Sequence, residues 1–293
     1  MRRLIVNADD LGLTPGVNRA IRETHVEGIV TSATLMACGS AFEDAAGMAR
    51  ALPGLSVGCH VVLVDGIPLS DPGSVPSLLA PSASPAQFPS SLGQVAVRAV
   101  LRRFDHDELV GEVVTQIRKL QSAGLQVTHL DAHKHTHMFP EILHALVQAA
   151  RVTGVPAIRN PFVPPHALRA GSFLGETGLW KRYAQVRLLR VWSSGFQDKV
   201  RRAGLAAPDG ALAVIETGSM TADRLRRALT DLPQGTWELV CHPGYNDAGL
   251  RAARTRLLGS RDEERQLLTS SWLREFLAAE SIRLIGYREF AGS

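Results

Sequence analysis

The chain has 293 residues and a hydrophobic fraction of 45%, which suits a compact globular protein with one large domain or two smaller ones. Its net charge of +4 comes mostly from arginine and forms no block of like charges, so we expect no nucleic-acid partner. No stretch is long and apolar enough to span a membrane, and the three cysteines lie too far apart to indicate a disulfide framework or a thiolate metal site.

The N-terminus predicts a first strand. The apolar run after the two arginines covers only Leu4 to Val6 before polar residues intervene. Such a run is too short for the apolar region of a signal peptide. We therefore expect a cytoplasmic protein.

Short apolar runs alternate with helical patterns along most of the chain. The predicted strands are 4–10, 32–37, 56–63, 127–133, 157–161, 212–218, 237–244 and 282–289, and the predicted helices are 15–27, 41–51, 107–123, 140–153, 221–231 and 261–279. This alternation is typical of βαβ units with a parallel sheet. It predicts an α/β fold, a single-domain, distorted TIM-like (β/α) barrel that is irregular or incomplete. A doubly wound open sheet is the alternative, although no glycine-rich nucleotide loop follows the first strand.

Two segments interrupt the alternation. Residues 65–97 are rich in Pro, Ser and Gly and predict a long loop beside the site. Residues 168–204 interleave Leu, Trp, Tyr and Val with Arg and Lys at near-helical spacing, which predicts a basic, aromatic helical insertion.

Unusual polar residues collect towards the carboxyl ends of the predicted strands. They are Asp9 and Asp10 in the first strand, His60 in the third, Asp131 and His133 in the fourth, Arg159 in the fifth and His242 in the seventh. In parallel α/β barrels the active site lies at that face and is built from the ends of several strands. We therefore expect these side chains to converge.

The stretch THLDAHKHTHMFP, residues 128–140, holds four histidines and an aspartate in its first ten positions, which indicates a metal site. If it is extended throughout, then His129, Asp131, His133, His135 and His137 share one face, with neighbours about 6.6 Å apart along the strand. Alternatively, the strand ends near His133 and a helix opens at Pro140. His135 and His137 then lie at the rim, where a histidine can orient a ligand or bind substrate.

Two histidines and one carboxylate leave coordination positions open on a divalent metal ion, which can activate water and polarise a carbonyl group. A second aspartate can accept the proton of the water, and a histidine across the site can protonate the leaving group. The sequence contains no GxSxG nucleophile motif. The pattern predicts metal-dependent hydrolysis of an amide or ester. A phosphoester hydrolase and a non-catalytic sugar- or metal-binding protein are the alternatives.

The sequence resembles the YdjC-like carbohydrate deacetylases, the group that includes the chitooligosaccharide deacetylases. The segments that carry the resemblance are IVNADDLGLTPGVNRAI, GIVTSATLM, VGCHVVLVDGIPL, THLDAHKHTHMFP and VCHPGYND, which follow the family's order over most of the chain. The resemblance implies a distorted (β/α) barrel with seven or eight strands. It also implies metal-dependent removal of an acetyl group from an N-acetylated amino sugar.

The resemblance also implies roles for individual residues. Asp10, His60 and His133 would bind one divalent ion, Asp9 would be the general base, His242 the general acid or oxyanion stabiliser, Asp131 would orient a ligand histidine, and Arg159 would hold Asp9 ionised or touch substrate. Zn²⁺ or Mg²⁺ is expected first, with Mn²⁺, Co²⁺ and Ni²⁺ as alternatives. The family usually has another histidine where this chain has Lys134, which alters the rim and leaves His133 intact.

A branch of the family that is associated with hopanoid biosynthesis is similar in VVLVDGIPL and in the basic, aromatic segment before RRAGL. That similarity implies a substrate in which the amino sugar is linked to a lipid. Segment 168–204 would then lie on an anionic membrane surface. The alternatives are that it packs on the barrel or forms a homodimer contact.

Overall fold

The computed structural model describes residues 1–81, 84–164, 177–230, 232–253 and 255–292. The strands are β1 (Arg2–Leu11), β2 (Ser32–Leu35), β3 (Ser56–Val61), β4 (Val127–Ala132), β5 (Gly210–Leu212), β6 (Gly235–Cys241) and β7 (Ile282–Leu284). The helices are α1 (Pro15–Val26), α2 (Phe42–Arg50), α3 (Leu92–Val100), α4 (His106–Ser122), α5 (Pro140–Thr153), α6 (Thr177–Leu189), α7 (Ser193–Arg202), α8 (Ala222–Thr230), α9 (Ala248–Ala252), α10 (Gly259–Thr269), α11 (Ser271–Ala279) and α12 (Tyr287–Ala291). Short 3₁₀ segments occupy Pro72–Ser74, Pro76–Leu78, His133–Met138 and Arg190–Trp192.

The seven strands form one parallel sheet in the order β4-β3-β2-β1-β6-β5, and β7 pairs with the start of β1. This sheet confirms the predicted single-domain α/β class. In the described part of the chain it is a curled half-barrel and not a full, closed TIM barrel, which is consistent with the predicted distorted barrel. Among the described residues, isolated bridges at Leu130–Ile158 and Ala157–Ala206 link the β4 edge to the region before β5. Pro156 and Pro161 flank this segment, and because proline cannot donate to a ladder, the predicted strand 157–161 does not extend.

The central strand is buried on both faces, and this explains its continuous apolar run. From Leu4 onwards every residue of β1 is buried. The first crossover begins at once, because the Thr14 hydroxyl accepts the Val17 N–H and Pro15 occupies the first helical position. The carboxyl ends of the strands therefore lie beside short loops that lead into helices.

Other predicted elements differ in extent. The strand predicted at 212–218 ends at Leu212, because Ala213 has a left-handed φ of 64° and turns follow it. The helix predicted at 261–279 is two helices separated at Ser270, whose backbone is extended. The strand predicted at 282–289 ends at Leu284, and α12 follows. The predicted loop 65–97 contains two 3₁₀ turns and the start of α3.

The predicted insertion is helical where the structure describes it, and its residues 168–176 lie outside the described ranges. Aromatic contacts join the rest to the fold: the ring centroids of Trp192 and Phe139 are 5.5 Å apart, and those of Phe196 and Phe162 are 5.6 Å apart. Within the described ranges no helix is both long and apolar enough to cross a membrane. The three cysteines are free; Cys59 and Cys241 are buried, and Cys38 is half-buried.

Candidate active site

The structure brings the three predicted metal ligands together. Asp10 Oδ1 lies 3.4 Å from His60 Nε2 and 3.2 Å from His133 Nδ1, and the two ring nitrogens are 3.2 Å apart. Three ligand atoms around a tetrahedral ion with bonds near 2.0–2.1 Å would be separated by about 3.3 Å. Asp10 Oδ1 is buried and has no hydrogen-bond partner among the described residues. A divalent cation therefore fits this donor set.

A bulge at the end of β1 explains how two adjacent aspartates reach the same site. The register with β2 shifts between Ala8 and Leu11, and Asp10 has a left-handed φ of 64°. Aspartate tolerates this conformation better than most residues. Asp9 and Asp10 consequently bind different partners.

Asp131 fixes the ring of His60, one of the three predicted metal ligands. Its Oδ1 is 2.7 Å from His60 Nδ1, so the opposite ring nitrogen faces Asp10 and His133. The Thr34 hydroxyl lies 3.2 Å from both His60 Nδ1 and Asp131 Oδ2. Burial alone would lower the pKa of His60, but Asp131, Asp10 and Asp9 outweigh burial and raise it to about 10. The orienting role of Asp131 stays a prediction with which this contact is compatible.

Arg159 lies at the base of the site, fully buried among three carboxylates. It forms a two-pronged ion pair with Asp9 and also binds Asp131. Its Nη2 and Nε are each 2.8 Å from Glu238 Oε1, and Glu238 accepts a further bond from the Tyr287 hydroxyl. Burial alone would raise the pKa of Asp9, but Arg159 outweighs it and holds that pKa well below its usual value. Asp9 is therefore ionised across the physiological range.

His242 lies beside Asp9, with Nε2 3.8 Å from Asp9 Oδ2. Its backbone N–H donates to Glu264 at 2.6 Å, which fixes the end of β6. Burial lowers the pKa of His242 to about 4, although Asp9 and Asp10 oppose the shift. The imidazole is neutral at pH 7, and its buried Nδ1 has no partner in the described part of the chain.

The histidine-rich stretch follows the second alternative: β4 ends at Ala132, a 3₁₀ segment follows, and α5 opens at Pro140. His129 faces away from the ligand set, since it bonds to Asn7 and stacks on Tyr287 at 3.6 Å between centroids. His135 and His137 lie beyond His133, with their ring centroids 6.1 Å apart.

His135 and His137 are not part of the group of residues that could share an ion with Asp10. Burial lowers the pKa of His135 to about 3 and lowers that of His137 as well, so both rings are neutral at pH 7. His135 Nδ1 and both ring nitrogens of His137 are buried without partners among the described residues. Their roles in substrate binding stay predictions.

Four further residues support the site and were not indicated by the sequence. They are Thr34 on β2, Glu238 on β6, and Arg261 and Glu264 on α10. Thr34 and Glu238 lie on predicted strands, where polar residues are common. Thr34 falls within the segment GIVTSATLM, which carries the family resemblance, but no role was predicted for it. Arg261 binds Asp10 from a helix remote in sequence, and no local pattern could have found that contact.

Comparison with known proteins gives consistent matches. A model of YdjC-like proteins matches residues 3–279. A carbohydrate deacetylase from Geobacillus stearothermophilus is 34% identical over 290 residues, covering 99% of this chain and 98% of that protein. One from Brevibacillus brevis is 30% identical over 294 residues, covering 98% and 99%. A solved structure from Enterococcus faecalis V583 has a similar fold, with a TM-score of 0.78, 24% identity and 98% coverage of both chains.

Proposed function

This chain belongs to the YdjC-like protein family, and from that premise we propose that it is a metal-dependent hydrolase that removes the N-acetyl group from an N-acetylglucosamine-containing substrate. The curated relatives named carbohydrate deacetylases support the reaction class. The observation that carries the proposal is the triangle of donor atoms from Asp10, His60 and His133, with the ionised Asp9 beside it.

Asp10, His60 and His133 would hold the ion. When bound, it would polarise the acetyl carbonyl and acidify a water molecule. Two imidazoles with a carboxylate suit Zn²⁺. Mg²⁺ is the other first candidate, and Mn²⁺, Co²⁺ and Ni²⁺ are alternatives.

Asp9 is the general base in this mechanism. Arg159 fixes its carboxylate and keeps it ionised, and a carboxylate in such a pair still has lone pairs to accept a proton from water. The hydroxyl part of the water joins the acetyl carbon and the C–N bond breaks. The water proton ends on the departing amine, so that acetate and a free amino sugar are released.

His242 would stabilise the oxyanion that develops on the acetyl carbonyl. It would enter the reaction as a neutral ring and not as a charged acid. Its pKa of about 4 leaves the ring neutral at pH 7, and a neutral imidazole N–H can donate to the developing oxyanion. The low pKa also makes a transiently protonated ring a strong acid, which would pass its proton readily to the amine. One position of the His242 ring is therefore compatible with both predicted roles, general acid and oxyanion stabiliser.

The test is acetate release from soluble chitooligosaccharides and from a hopanoid-linked N-acetylglucosamine, measured with a panel of divalent metals. We expect acetate release that requires a metal, with about one ion per chain. A requirement for several ions together with phosphoester cleavage would favour the phosphatase alternative. Tight sugar binding without acetate release would favour a non-catalytic protein.

We further propose that the substrate is lipid-linked. The protein would then be cytoplasmic and would bind this substrate at the inner surface of the membrane. In the insertion, Leu188 is 75% exposed and Val191 is 71% exposed, beside Arg187 and Arg190. Apolar side chains among arginines suit an anionic bilayer. Co-sedimentation with anionic and neutral vesicles tests this, with Leu188→Ser as the weakened variant. A homodimer that covers these residues is the alternative, and light scattering would detect it.

A further inference from the structure

Arg261 reaches the metal-ligand triangle from α10 and is only 1% exposed. Its Nη2 donates to Asp10 Oδ2 at 2.5 Å, and its Nε donates to the Leu257 carbonyl at 3.1 Å. Gly244 makes room for it, since a Cβ at that position would lie 2.9 Å from Arg261 Cδ. The guanidinium is thus fixed against one oxygen of a predicted metal ligand.

The two oxygens of Asp10 consequently have different environments. Oδ1 faces His60 Nε2 and His133 Nδ1, whereas Oδ2 is bonded to Arg261. A carboxylate can bind a metal through one oxygen or through both. Because the Arg261 hydrogen bond engages one lone pair of Oδ2 and places a fixed positive charge beside it, binding of a divalent ion through both oxygens is disfavoured.

We propose that Arg261 is a positioning residue that restricts Asp10 to one ligand oxygen and so keeps a coordination position open for water and substrate. The inference rests on the proposed metal-dependent function. Arg261 also places a positive charge beside the ion, which opposes ion binding. Arg261 therefore promotes turnover without strengthening ion binding. Loss of a residue that only supports the fold would lower ion affinity and turnover together.

The same helix offers a matched control. Arg265 lies one turn further along α10 and binds Glu23 and Asp262, which belong to the periphery and not to the ligand set. Arg265→Met removes the same charge from the same helix without touching Asp10.

The experiment compares Arg261→Met, Arg261→Lys and Arg265→Met with the unaltered protein. Calorimetry measures Zn²⁺ binding, the visible spectrum of Co²⁺-loaded protein reports the number of ligands, and acetate release gives kcat and KM. For Arg261→Met we expect Zn²⁺ affinity equal to or higher than that of the unaltered protein. We also expect a weaker Co²⁺ band, because a higher coordination number lowers its intensity, and a kcat lower by about 10–100-fold. Arg261→Lys should recover part of kcat, and Arg265→Met should match the unaltered protein.

An unchanged Co²⁺ spectrum with unchanged kcat in Arg261→Met would overturn the proposal, as would a parallel loss of Zn²⁺ affinity and kcat. If Arg261→Met does not fold, Arg261→Lys decides by the same readouts, since it keeps the charge but loses the second and third donor nitrogens. If the unaltered protein binds metal but releases no acetate from any substrate, the proposed function fails. The Zn²⁺ and Co²⁺ measurements still decide whether Arg261 restricts Asp10.

Discussion

Arg159 and Asp9 form a buried, two-pronged ion pair: Nη2 lies 2.6 Å from Oδ1, and Nη1 lies 2.8 Å from Oδ2. The same guanidinium binds Asp131 and Glu238. One side chain therefore connects the proposed base, the carboxylate that orients His60, and strand β6. Arg159 therefore contributes both to the proposed catalysis and to the stability of the fold. Replacing Asp9 tests the catalysis, and replacing Arg159 itself tests the stability.

Replacing Asp9 with Asn should remove the proposed base and preserve the ion site. We expect kcat to fall by about 10²–10⁴-fold, because general-base catalysis contributes on that scale. Metal stoichiometry, measured by elemental analysis, should stay the same since Asp10, His60 and His133 are intact. Asp198→Asn is the control, because the Asp198 side chain is half-exposed and pairs only with Arg201 in the described structure. Undiminished acetate release by Asp9→Asn would show that the base lies elsewhere.

Arg159→Met should destabilise the protein strongly, because three buried carboxylates would lose their shared cation. Breaking a buried pair in this way costs about 3–5 kcal/mol. Urea unfolding at pH 7 provides the measurement. Arg283→Met removes an exposed pair with Glu289 and should cost no more than about 1 kcal/mol. Equal losses in the two variants would contradict the importance of the buried network.

The site was largely predictable because the sheet is parallel. Apolar runs identify the strands, and the carboxyl ends of parallel strands meet at one edge, so Asp10, His60 and His133 converge although they are remote in sequence. Arg261 was not predictable, since its contact depends on how α10 packs against the end of β1. The segment 212–218 was misassigned for a local reason: LAVIETG has the composition of a strand, but the left-handed turn at Ala213 ends it.

Metal binding should release a proton from His60. Without an ion, Asp131 and the neighbouring aspartates raise the pKa of His60 to about 10 against the opposing effect of burial, so the ring is charged at pH 7. A metal ligand must be neutral, so binding should displace about one proton per ion. Calorimetry in buffers of different ionisation enthalpy counts that proton. Affinity that does not rise between pH 6 and pH 9 would exclude this exchange.

The metal-free protein should be most stable near pH 6.5, the usual pKa of histidine. The folded-state pKa of His60 is raised, so its contribution is present below pH 6.5 and is lost as the pH rises towards 10. The pKa of His242 is lowered, so the unfolded state gains a proton first and stability falls as the pH drops from 6.5 towards 4. Urea midpoints across this range test both limbs. His135 and His137 act in the same direction as His242, so His242→Gln should make the acid limb shallower without abolishing it. A midpoint that rises steadily with pH would contradict the assignment.

Gly58 should be intolerant of even a methyl group, because the ring of His129 lies against it. A Cβ at Gly58 would come within 2.5 Å of His129 Cε1, and His129 cannot move away freely since it stacks on Tyr287. Overpacking of this kind costs about 1–3 kcal/mol. Gly111→Ala in α4 is the matched control: no atom lies within 4 Å of the added carbon, and the exchange should stabilise the helix by about 0.5–1 kcal/mol. The unfolding temperature should therefore fall in Gly58→Ala and rise in Gly111→Ala. A rise in both variants would show that the His129–Tyr287 stack moves to accommodate the added methyl group.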